Sequence, residues 1–326
     1  MRTLVTGGAG YVGSVCVERL LAEGHAVTVV DDLSEGHRAA VAPGADFCEG
    51  NLGDPALLDA LMAKARPEAV LHFAGSTLVG ESMRNPLKYF QNNTANGIAL
   101  LQAAAAAGVG KFIFSSTCAV YGEPESVPIA ETAPRQPVNP YGASKLMMEQ
   151  AMEWQAQATG MECVALRYFN AAGASDNFGE HHRHETHLIP CLLQTALGQR
   201  ETFSLFGTDH PTPDGTCIRD YVHVQDLVDA HIVVMDALKP GEQRFYNLGI
   251  GKGYSVKQVV EAAKKVTGVD FRVDMGLRRL GDPPQLYANA DKIKRELDWQ
   301  AAITDIDQII STAWQWFNNH PNGYES

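Results

Sequence analysis

A tyrosine and a lysine four residues apart are the side chains of this sequence best suited to proton transfer. Tyr141 and Lys145 follow Pro140 at the start of a predicted helix, so both project from one helix face. A buried ammonium group beside a phenol stabilises the phenolate and lowers the tyrosine pKa from about 10 towards neutrality. The phenolate can then accept a proton from a hydroxyl group. Simple packing of a tyrosine on a lysine stem gives the same spacing, so further residues are needed to support this chemistry.

A hydroxyl group at the end of a predicted strand could bind the same substrate oxygen. The run Phe114-Ser115-Ser116-Thr117 has the pattern of a buried strand, and Thr117 stands at its end. A glycine-rich turn, a strand-end hydroxyl and the Tyr-x-x-x-Lys pair follow one another along the chain. This order favours a catalytic reading of Tyr141, Lys145 and Thr117.

The glycine-rich turn near the amino terminus has the pattern of a pyrophosphate site. A strand-like run over residues 3–6 leads into Gly7, Gly10 and Gly13, and a helical pattern follows. The glycines permit a tight turn and a close backbone approach, while the helix N-terminus supplies N–H groups and a positive dipole. Three glycines alone could also form an ordinary strand-to-helix turn.

An acidic residue at the end of the second predicted strand strengthens the dinucleotide interpretation. Asp31 lies 18 residues beyond Gly13, close to the usual position of the acid that binds the adenosine ribose. A carboxylate there accepts hydrogen bonds from the 2′- and 3′-hydroxyl groups and repels a 2′-phosphate. We therefore predict that the site holds NAD rather than NADP. The nicotinamide cation would help Lys145 to lower the pKa of Tyr141.

The elements that must position these residues alternate between strands and helices in the first half of the chain. This alternation predicts an α/β fold with a doubly wound parallel sheet of the Rossmann type. Strands are predicted over residues 3–6, 26–30, 69–73, 111–115 and 163–167, and helices over residues 12–23, 55–65, 86–107 and 140–159.

The sequence changes in character after about residue 168. Gly, Pro, Asp and His become denser, and irregular stretches separate the helical patterns over residues 226–238, 255–267 and 305–317. We expect residues 1–168 to form a NAD-binding domain, with later segments around 220–248 returning to it. Residues 169–326 are expected to form mainly a smaller, loop-rich α/β domain beside the carboxyl ends of the strands, where ligands bind in open sheets.

Composition and charge limit the class of protein. The chain has 326 residues, of which 45% are hydrophobic and 20% charged, and this is typical of one large or two coupled globular domains. No apolar run approaches the ~18 residues of a membrane span, and the chain reaches its glycines too early for a signal peptide. The net charge of −12 disfavours nucleic acid as a partner. Six scattered cysteines without a CxxC pair predict reduced thiols and a cytoplasmic location.

Several strings of the sequence resemble the extended short-chain dehydrogenase/reductase family. Besides the glycine turn and the Tyr-x-x-x-Lys pair, these are His72-Phe73-Ala74-Gly75 and Tyr121-Gly122. The later strings are similar to those of the family's UDP-sugar 4-epimerases, and they include Leu166-Arg167-Tyr168-Phe169-Asn170, Arg219-Asp220-Tyr221-Val222-His223 and Tyr246-Asn247-Leu248-Gly249.

This resemblance implies an isomerase that uses NAD without net redox change. A UDP-hexose would be oxidised at C4, and the 4-keto sugar would turn over and take the hydride back on its other face. Residues 169–326 would then bind mainly the UDP-sugar. UDP-glucose and UDP-galactose are the expected pair, and UDP-N-acetylglucosamine or UDP-xylose is the alternative.

The resemblance also implies a role for individual side chains. Tyr141 would be the base, Lys145 would tune it, and Thr117 would bind the reacting oxygen. Residues at cofactor-contact positions are Gly7, Gly10, Tyr11, Val12, Gly13, Asp31, Asp32, Asn51, Leu52, Phe73, Ala74, Gly75, Asn92, Tyr141, Lys145 and Phe169. Residues at substrate-contact positions are Thr117, Asn170, His187, Leu188, Phe206, Arg219, Tyr221, Arg279, Asp282 and Leu286, of which the arginines suit a diphosphate.

Four positions bear on how closely the chain follows that pattern. Asn51 stands where many members have an Asp against the adenine, Thr77 where some have a cofactor-contacting Lys, and His187 where some have Asn. Leu286 aligns with the residue that walls the 2-substituent of the sugar. Glucose-restricted members carry Tyr there, and a leucine leaves room for weak use of N-acetylated sugars.

Other functions within the same fold need residues that this chain lacks. Nucleotide-sugar dehydratases and decarboxylases place an acid just after the strand-end hydroxyl, where this sequence has Cys118 and Ala119. A non-catalytic NAD-sensing protein would be expected to lose Tyr141 or Lys145. The resemblance further implies a homodimer formed through the helices over residues 86–107 and 140–159.

A histidine-rich run, residues 181–187, also invites a metal interpretation. It contains four histidines and one glutamate but lacks HExxH spacing, and no cysteine accompanies it. The sequence therefore predicts a solvated polar loop without a metal ion, in which His187 points towards the substrate.

Overall fold

A seven-stranded parallel sheet forms the larger part of the molecule. The computed structural model describes residues 1–237, 239, 241–278 and 283–324. The strands of the sheet are β1 (Arg2–Thr6), β2 (Ala26–Asp31), β3 (Asp46–Glu49), β4 (Ala69–His72), β5 (Lys111–Thr117), β6 (Glu162–Tyr168) and β11 (Gln243–Leu248). Their spatial order is β11-β6-β5-β4-β1-β2-β3. The predicted Rossmann-type sheet is confirmed, and its order reverses between β1 and β4, where such folds bind ligands.

The helices cover both faces of this sheet. Because parallel strands are shielded on both sides, they read as continuous apolar runs, and all seven residues of β6 are buried. The helices are α1 (Tyr11–Ala22), α2 (Pro55–Ala65), α3 (Val79–Arg84), α4 (Pro86–Tyr89), α5 (Asn96–Ala106), α6 (Pro140–Thr159), α7 (Leu188–Ala196), α8 (Val224–Ala237), α9 (Val256–Thr267), α10 (Asp291–Leu297) and α11 (Ile306–Asn319). Side chains of α1 and α8 share one core, and those of α2, α5 and α6 share the core on the opposite face.

Local signals explain the two helices whose bounds agree with the prediction. Asp54 caps α2 by accepting hydrogen bonds from the N–H groups of Ala56 and Leu57, and a proline occupies the first turn. Asn139 caps α6 by accepting from the N–H group of Gly142 at 2.8 Å. Gly160 ends α6 in the left-handed conformation.

The single α-helix predicted over residues 86–107 is wrong in its middle. A π-helical segment, Phe90–Ala95, separates α4 from α5. The wider turn directs Asn93 inwards, where its side-chain oxygen accepts from the N–H group of Ser76 at 2.7 Å. Its side-chain nitrogen donates to the hydroxyl of Ser144 at 3.1 Å. The segment therefore lacks the regular α-helical hydrogen bonds and forms polar contacts with two neighbouring elements instead. π-Bulges of this kind occur frequently at functional sites.

Short strands and three helices build a second, smaller unit. β7 (Asn170–Ala172) pairs with β10 (Tyr221–His223), β8 (Phe203–Phe206) pairs with β13 (Val273–Gly276), and β9 (Ile218–Arg219) lies between β12 (Tyr254–Ser255) and β14 (Gln285–Leu286). Helices α7, α9 and α11 supply its core. Across the described part of the chain, no helix has both the length and the apolarity that crossing a membrane requires.

Candidate active site

The glycine-rich turn after β1 leaves no room for side chains at the carboxyl edge of the sheet. Gly7 has a φ angle of +72°, and a Cβ atom there would lie 2.5 Å from the backbone nitrogen of Ala74. A Cβ atom on Gly13 would lie 2.1 Å from the carbonyl oxygen of Gly7. Helix α1 begins after Gly10 without a side-chain cap, so its first N–H groups are available to an anion. The turn has the shape and the donors that a pyrophosphate needs.

Asp31 ends β2 beside this turn. Its Oδ2 atom accepts a hydrogen bond from the N–H group of Ala9 at 3.0 Å, and its Oδ1 atom accepts from Leu33 at 2.9 Å. Burial raises the pKa of Asp31, while the two backbone N–H groups act against that rise. Each carboxylate oxygen has a second lone pair. A fixed carboxylate with spare acceptor capacity fits the two hydroxyl groups of a ribose.

Polar side chains next to Asp31 hold one another in place. The side-chain nitrogen of Asn51 donates to Asp32 at 2.8 Å, and its side-chain oxygen accepts from the N–H group of Gly53 at 2.9 Å. Asn96 also donates to that oxygen, at 3.3 Å. The amide of Asn51 therefore braces the rim of the site, whereas an Asp at this position would repel Asp32.

The three predicted catalytic side chains meet between the ends of β4, β5 and the start of α6. The hydroxyl of Thr117 accepts from the N–H group of Ala119 at 3.1 Å and lies close enough to the phenol of Tyr141 to lower its pKa. The Nζ atom of Lys145 donates to the carbonyl oxygen of Ser115 at 2.8 Å. A Cβ atom on Gly75 would lie 3.3 Å from that Nζ atom. The lack of a side chain at position 75 thus leaves the Lys145 ammonium accessible to a ligand that lies across the carboxyl edge of β4.

Burial moves the pKa values of the tyrosine and the lysine in opposite directions. It raises the pKa of Tyr141 to about 12, against the lowering effect of the neighbouring Thr117 hydroxyl. It lowers the pKa of Lys145 to about 7, because none of the described residues brings a carboxylate that offsets the cost of burying the ammonium. The chain alone therefore leaves the phenol protonated at neutral pH. The predicted lowering of the Tyr141 pKa requires a further positive charge at the site.

A buried ion pair, not predicted from the sequence, aligns α6 with β5. Arg167 and Glu149 form two hydrogen bonds, Nε to Oε1 at 2.9 Å and Nη2 to Oε2 at 2.8 Å, with both side chains at most 1% exposed. The hydroxyl of Ser116 donates to the same carboxylate at 2.6 Å. Glu149 lies one turn beyond Lys145, and Ser116 precedes Thr117. The ion pair thus sets the position of the helix relative to the strand-end hydroxyl. Its sequence signal is a charged residue inside an otherwise apolar strand.

The short strands of the second unit bring other predicted residues to the same edge. The side-chain nitrogen of Asn170 donates to the carbonyl oxygen of Asp220 at 2.9 Å. Arg219 in β9 pairs in register with Leu286 in β14. Burial raises the pKa of Cys118 to about 12, and the positive charge of Arg219 acts against this rise. Arg219 therefore lies near the thiol of Cys118, which directly follows β5.

Leu286 packs in a small cluster close to Thr117. The cluster joins the half-buried Leu286 to Cys118, Tyr121 and Phe169, which are neighbours in sequence of Thr117 and Asn170. Leu286 therefore lies on the same side of the sheet edge as the strand-end hydroxyl.

A buried carboxylate holds these short strands together and was also missed. Asp220 is fully buried and accepts hydrogen bonds from the N–H groups of Ile250 at 2.8 Å, Ala288 at 3.0 Å and Gly251 at 3.1 Å. Burial raises its pKa to about 6, while these three bonds act against the rise. Its only sequence signal is an acid beside Arg219.

Other predicted site residues lie at the rim or in the cores. Tyr11 donates through its hydroxyl to the carbonyl oxygen of Gly173 at 2.6 Å, so it joins the glycine turn to the second unit. Asn92 donates to the hydroxyl of Ser76 at 3.0 Å. The remaining residues are core or edge positions: Val12 and Phe73 pack on the first core, Leu52 lies in the opposite core, Tyr221 and Leu188 belong to the second unit, and Phe206 is 39% exposed at the end of β8. Arg279 and Asp282 lie outside the described residues.

The histidine-rich run forms the polar loop that the sequence predicts, with Arg183, His184 and Thr186 exposed, but carboxylates within and beside it are withdrawn from water. The side chains of Glu180 and Glu185 are 8% and 4% exposed, because both fold inwards onto imidazole rings. The Nδ1 atom of His187 lies 2.8 Å from Glu185 Oε1 and 3.0 Å from Glu180 Oε1. Burial would lower the pKa of His187, but these carboxylates outweigh it and raise the pKa well above its usual value. One ring nitrogen of His187 is thus engaged within the protein.

Comparisons with known proteins agree with this geometry. Residues 3–249 match the family described as the NAD dependent epimerase/dehydratase family. The chain is 48% identical to the UDP-glucose 4-epimerase of Lacticaseibacillus casei over 327 residues, which cover 99% of each chain. It matches the crystal structure of a UDP-glucose 4-epimerase with a TM-score of 0.95 and 46% identity, covering 99% of both chains.

A further solved structure that is similar to this chain contains ligands. The Bifidobacterium longum UDP-glucose 4-epimerase, in complex with NAD+ and UDP, matches with a TM-score of 0.94 and 35% identity, covering 98% of this chain and 99% of that one. The resemblance stated from the sequence strings is confirmed. This chain belongs to the NAD dependent epimerase/dehydratase family.

Proposed function

We propose that this chain interconverts UDP-glucose and UDP-galactose by epimerisation at C4 of the hexose, using bound NAD. The observation that carries the proposal is that Thr117 lies next to the phenol of Tyr141, with Lys145 on the same helix, at the sheet edge that also holds the glycine turn. The similarity to UDP-glucose 4-epimerases extends over the whole chain and supports the same activity.

The chain's own residues fit NAD. The glycine turn and the uncapped start of α1 would hold the pyrophosphate, and Asp31 would accept from the adenosine ribose. The other residues proposed to border the cofactor are Tyr11, Val12, Asp32, Asn51, Leu52, Phe73, Ala74, Gly75, Asn92, Tyr141, Lys145 and Phe169. NAD supplies a hydride acceptor and, once reduced, a hydride donor for C4 of the sugar.

The proton chemistry falls to three side chains. Tyr141 accepts the proton of the 4-hydroxyl group as the C4–H bond breaks, and it returns a proton to the oxygen when the C–H bond re-forms. Thr117 would donate a hydrogen bond to the phenol and thereby hold its oxygen at the sheet edge. Lys145 supplies positive charge next to this oxygen when it is protonated, and its own hydrogen bond to Ser115 fixes where that charge lies.

The substrate is proposed to lie between the sheet edge and the second unit. Asn170, Arg219 and Leu286 border this space together with Thr117. His187, Leu188, Phe206, Tyr221, Arg279 and Asp282 complete the proposed contacts on the second unit. Cys118 and Ala119 follow Thr117, so the position at which dehydratases and decarboxylases carry an acid offers none here. Reversible oxidation at C4 is therefore favoured over elimination or decarboxylation.

The binding of NAD and of the UDP-sugar is proposed to divide between the two units of the fold. Residues 1–168 would hold NAD together with residues around 220–248, since β11 pairs with β6 and α8 packs against α1 in the first core. Residues 169–326 would bind mainly the UDP-sugar. We propose a cytoplasmic location, which the six free cysteines support.

We also propose a homodimer formed through α4, α5 and α6. These elements leave large apolar side chains in water: Leu87 is 77% exposed, Trp154 71%, Met147 49% and Ile98 41%. Such a patch is typical of a subunit interface. Light scattering after gel filtration should give twice the chain mass, and Trp154→Glu combined with Leu87→Glu should give a folded monomer.

One assay tests the activity and the cofactor together. The purified chain is incubated with UDP-galactose without added cofactor, and UDP-glucose is measured by a coupled oxidation. Denaturation of the same sample should release NAD rather than NADP. A folded, NAD-loaded chain that leaves UDP-galactose unconverted would contradict the proposal.

A further inference from the structure

Four side chains in the segment that leads into α7 converge on one point. They are Glu180, His182, Glu185 and His187, the last of which is also a proposed substrate contact, and one ligand atom from each lies within 4.8 Å of those of the other three. The Nδ1 atom of His182 lies 3.1 Å from Glu185 Oε2 and 3.3 Å from Glu180 Oε1. The Nδ1 atom of His187 lies 2.8 Å and 3.0 Å from the same two carboxyl groups. Each histidine thus contacts both glutamates around a common centre.

The charges of this cluster must balance locally. The two glutamate side chains are at most 8% exposed, and burying carboxylates is costly unless positive charge lies beside them. Within the described part of the chain, both carboxylates form their ion pairs with these two imidazoles and with no lysine or arginine. The N–H groups of Thr186 and His187 also donate to Glu185, at 2.8 and 2.7 Å. The balancing positive charge can come from imidazole protons or from one divalent cation.

We propose that this cluster binds one zinc ion per chain through Glu180, His182, Glu185 and His187. Zinc prefers four ligands of this kind, imidazole nitrogen and carboxylate oxygen at about 2.0–2.2 Å. In a tetrahedral site with such bonds, neighbouring ligand atoms lie about 3.3–3.5 Å apart. The four contacts between histidine and glutamate, at 2.8–3.3 Å, would open by little more than half an ångström. The ligand atoms that lie farthest apart, within 4.8 Å of each other, would close by about 1.3 Å.

The place of the cluster in the fold gives the ion a structural role. Its segment crosses from the second unit to the rim of the glycine turn, where the rings of His181 and His37 stack with centroids 4.4 Å apart. Arg183 donates to the carbonyl oxygens of Leu33 and Gly36, each at 3.4 Å. A zinc ion would cross-link the segment at the point where it leaves this rim for α7. It would fix the conformation of the segment whose His181 and Arg183 contact the edge of the cofactor site.

Cobalt(II) is the probe for the coordination test, because its visible absorption reports the number of ligands. The chelator-treated, NAD-loaded chain is titrated with Co²⁺ and then with Zn²⁺. The expected result is one Co²⁺ per chain, the intense visible band of four-coordinate cobalt, and loss of that band as Zn²⁺ replaces it. A band in the near ultraviolet would mark a cysteine ligand and would contradict the proposed ligand set.

Variants then test which side chains bind the ion. His182→Ala and Glu185→Gln should each lower the affinity for Zn²⁺ at least about tenfold, as measured by competition with a chromogenic chelator. His184→Ala changes an exposed histidine of the same segment that lies outside the cluster, and it should leave the affinity unchanged. NAD content and circular dichroism verify folding of each variant.

Two results would overturn the proposal. One is a weak cobalt spectrum of six-coordinate type in the unmodified chain, which would leave the cluster as an ion pair held by protons. The other is equal zinc affinity in the unmodified chain, His182→Ala and His184→Ala, which would place the ion elsewhere. If His182→Ala does not fold, Glu185→Gln and the cobalt spectrum of the unmodified chain decide between these outcomes.

Discussion

The buried ion pair between Arg167 and Glu149 should couple stability to catalysis. Glu149→Gln keeps the shape of the side chain but removes the charge that faces a guanidinium only 1% exposed. Breaking a buried pair from one side costs about 3–5 kcal/mol of folding free energy, because the remaining charge stays buried without a counter-charge. Arg167 also donates to the hydroxyl of Tyr121 at 2.7 Å, which offsets part of this, so we expect a loss of about 3 kcal/mol.

A second arginine on the same carboxylate provides the matched control. Arg135 lies 3.5 Å from Glu149 Oε2, but its side chain is 31% exposed. Exposed ion pairs contribute about 0–1 kcal/mol. Arg135→Ala should therefore change the unfolding free energy by less than about 1 kcal/mol, although it removes a contact with the same glutamate.

The assay is urea unfolding at a fixed excess of NAD, followed by tryptophan fluorescence, together with turnover of UDP-galactose. Because Ser116 donates to Glu149 and precedes Thr117, Glu149→Gln should lower kcat more than it raises KM. A loss of stability equal to that of Arg135→Ala would refute the reasoning about burial. A large loss of stability with an unchanged kcat would refute the claim that the ion pair positions the strand-end hydroxyl.

Four further predictions concern the proposed site. Tyr141→Phe should lower kcat about 10²–10⁴-fold with NAD still bound, and near-normal turnover by the folded variant would exclude Tyr141 as the base. Lys145→Met should move the rise of kcat with pH to higher pH, because the charge that helps to lower the Tyr141 pKa is gone; an unmoved profile would contradict this. Asp31→Ala should reduce the NAD content of the purified chain and should reduce its preference for NAD over NADP. Enzymatic cycling measures both cofactors. Leu286→Tyr should lower the specificity constant for UDP-N-acetylglucosamine relative to UDP-galactose, since overfilling a pocket costs about 1–3 kcal/mol; an unchanged ratio would remove Leu286 from the sugar pocket.

The sequence predicts those parts of the fold that local chemistry decides. Helices α2 and α6 have the predicted bounds because a proline in the first turn and a capping side chain mark where each begins. Five of the seven strands of the sheet were also predicted, since buried strands alternate with helices, whereas β3 and β11 were not. The strands of the second unit were not predicted, because β9, β12 and β14 have two residues each and show no periodicity. Their order depends on pairing and on the bonds to Asp220.

The pairing of buried polar groups is the part of the structure that sequence patterns do not predict. Glutamates and histidines in a glycine-rich stretch read as solvated, whereas Glu180 and Glu185 are withdrawn from water by pairing with His182 and His187. Asn93 looks like any helical residue, yet its contacts with Ser76 accompany the change to π-helical geometry. Which polar groups pair depends on tertiary distance, and one sequence does not contain that distance.

The pKa values of the candidate base explain why the cofactor belongs to the acid–base chemistry as much as to the redox chemistry. Burial raises the pKa of Tyr141 to about 12 and lowers the pKa of Lys145 to about 7. At neutral pH the phenol is therefore protonated, and only part of the Lys145 population carries a charge. Both shifts reflect the cost of charge in a dry site, and a phenolate would in turn raise the pKa of Lys145. An additional positive charge at the sheet edge lowers the energy of the phenolate directly. On the proposed mechanism, oxidised NAD would supply that charge, so proton abstraction by Tyr141 would be favoured in the state in which a hydride can also be accepted.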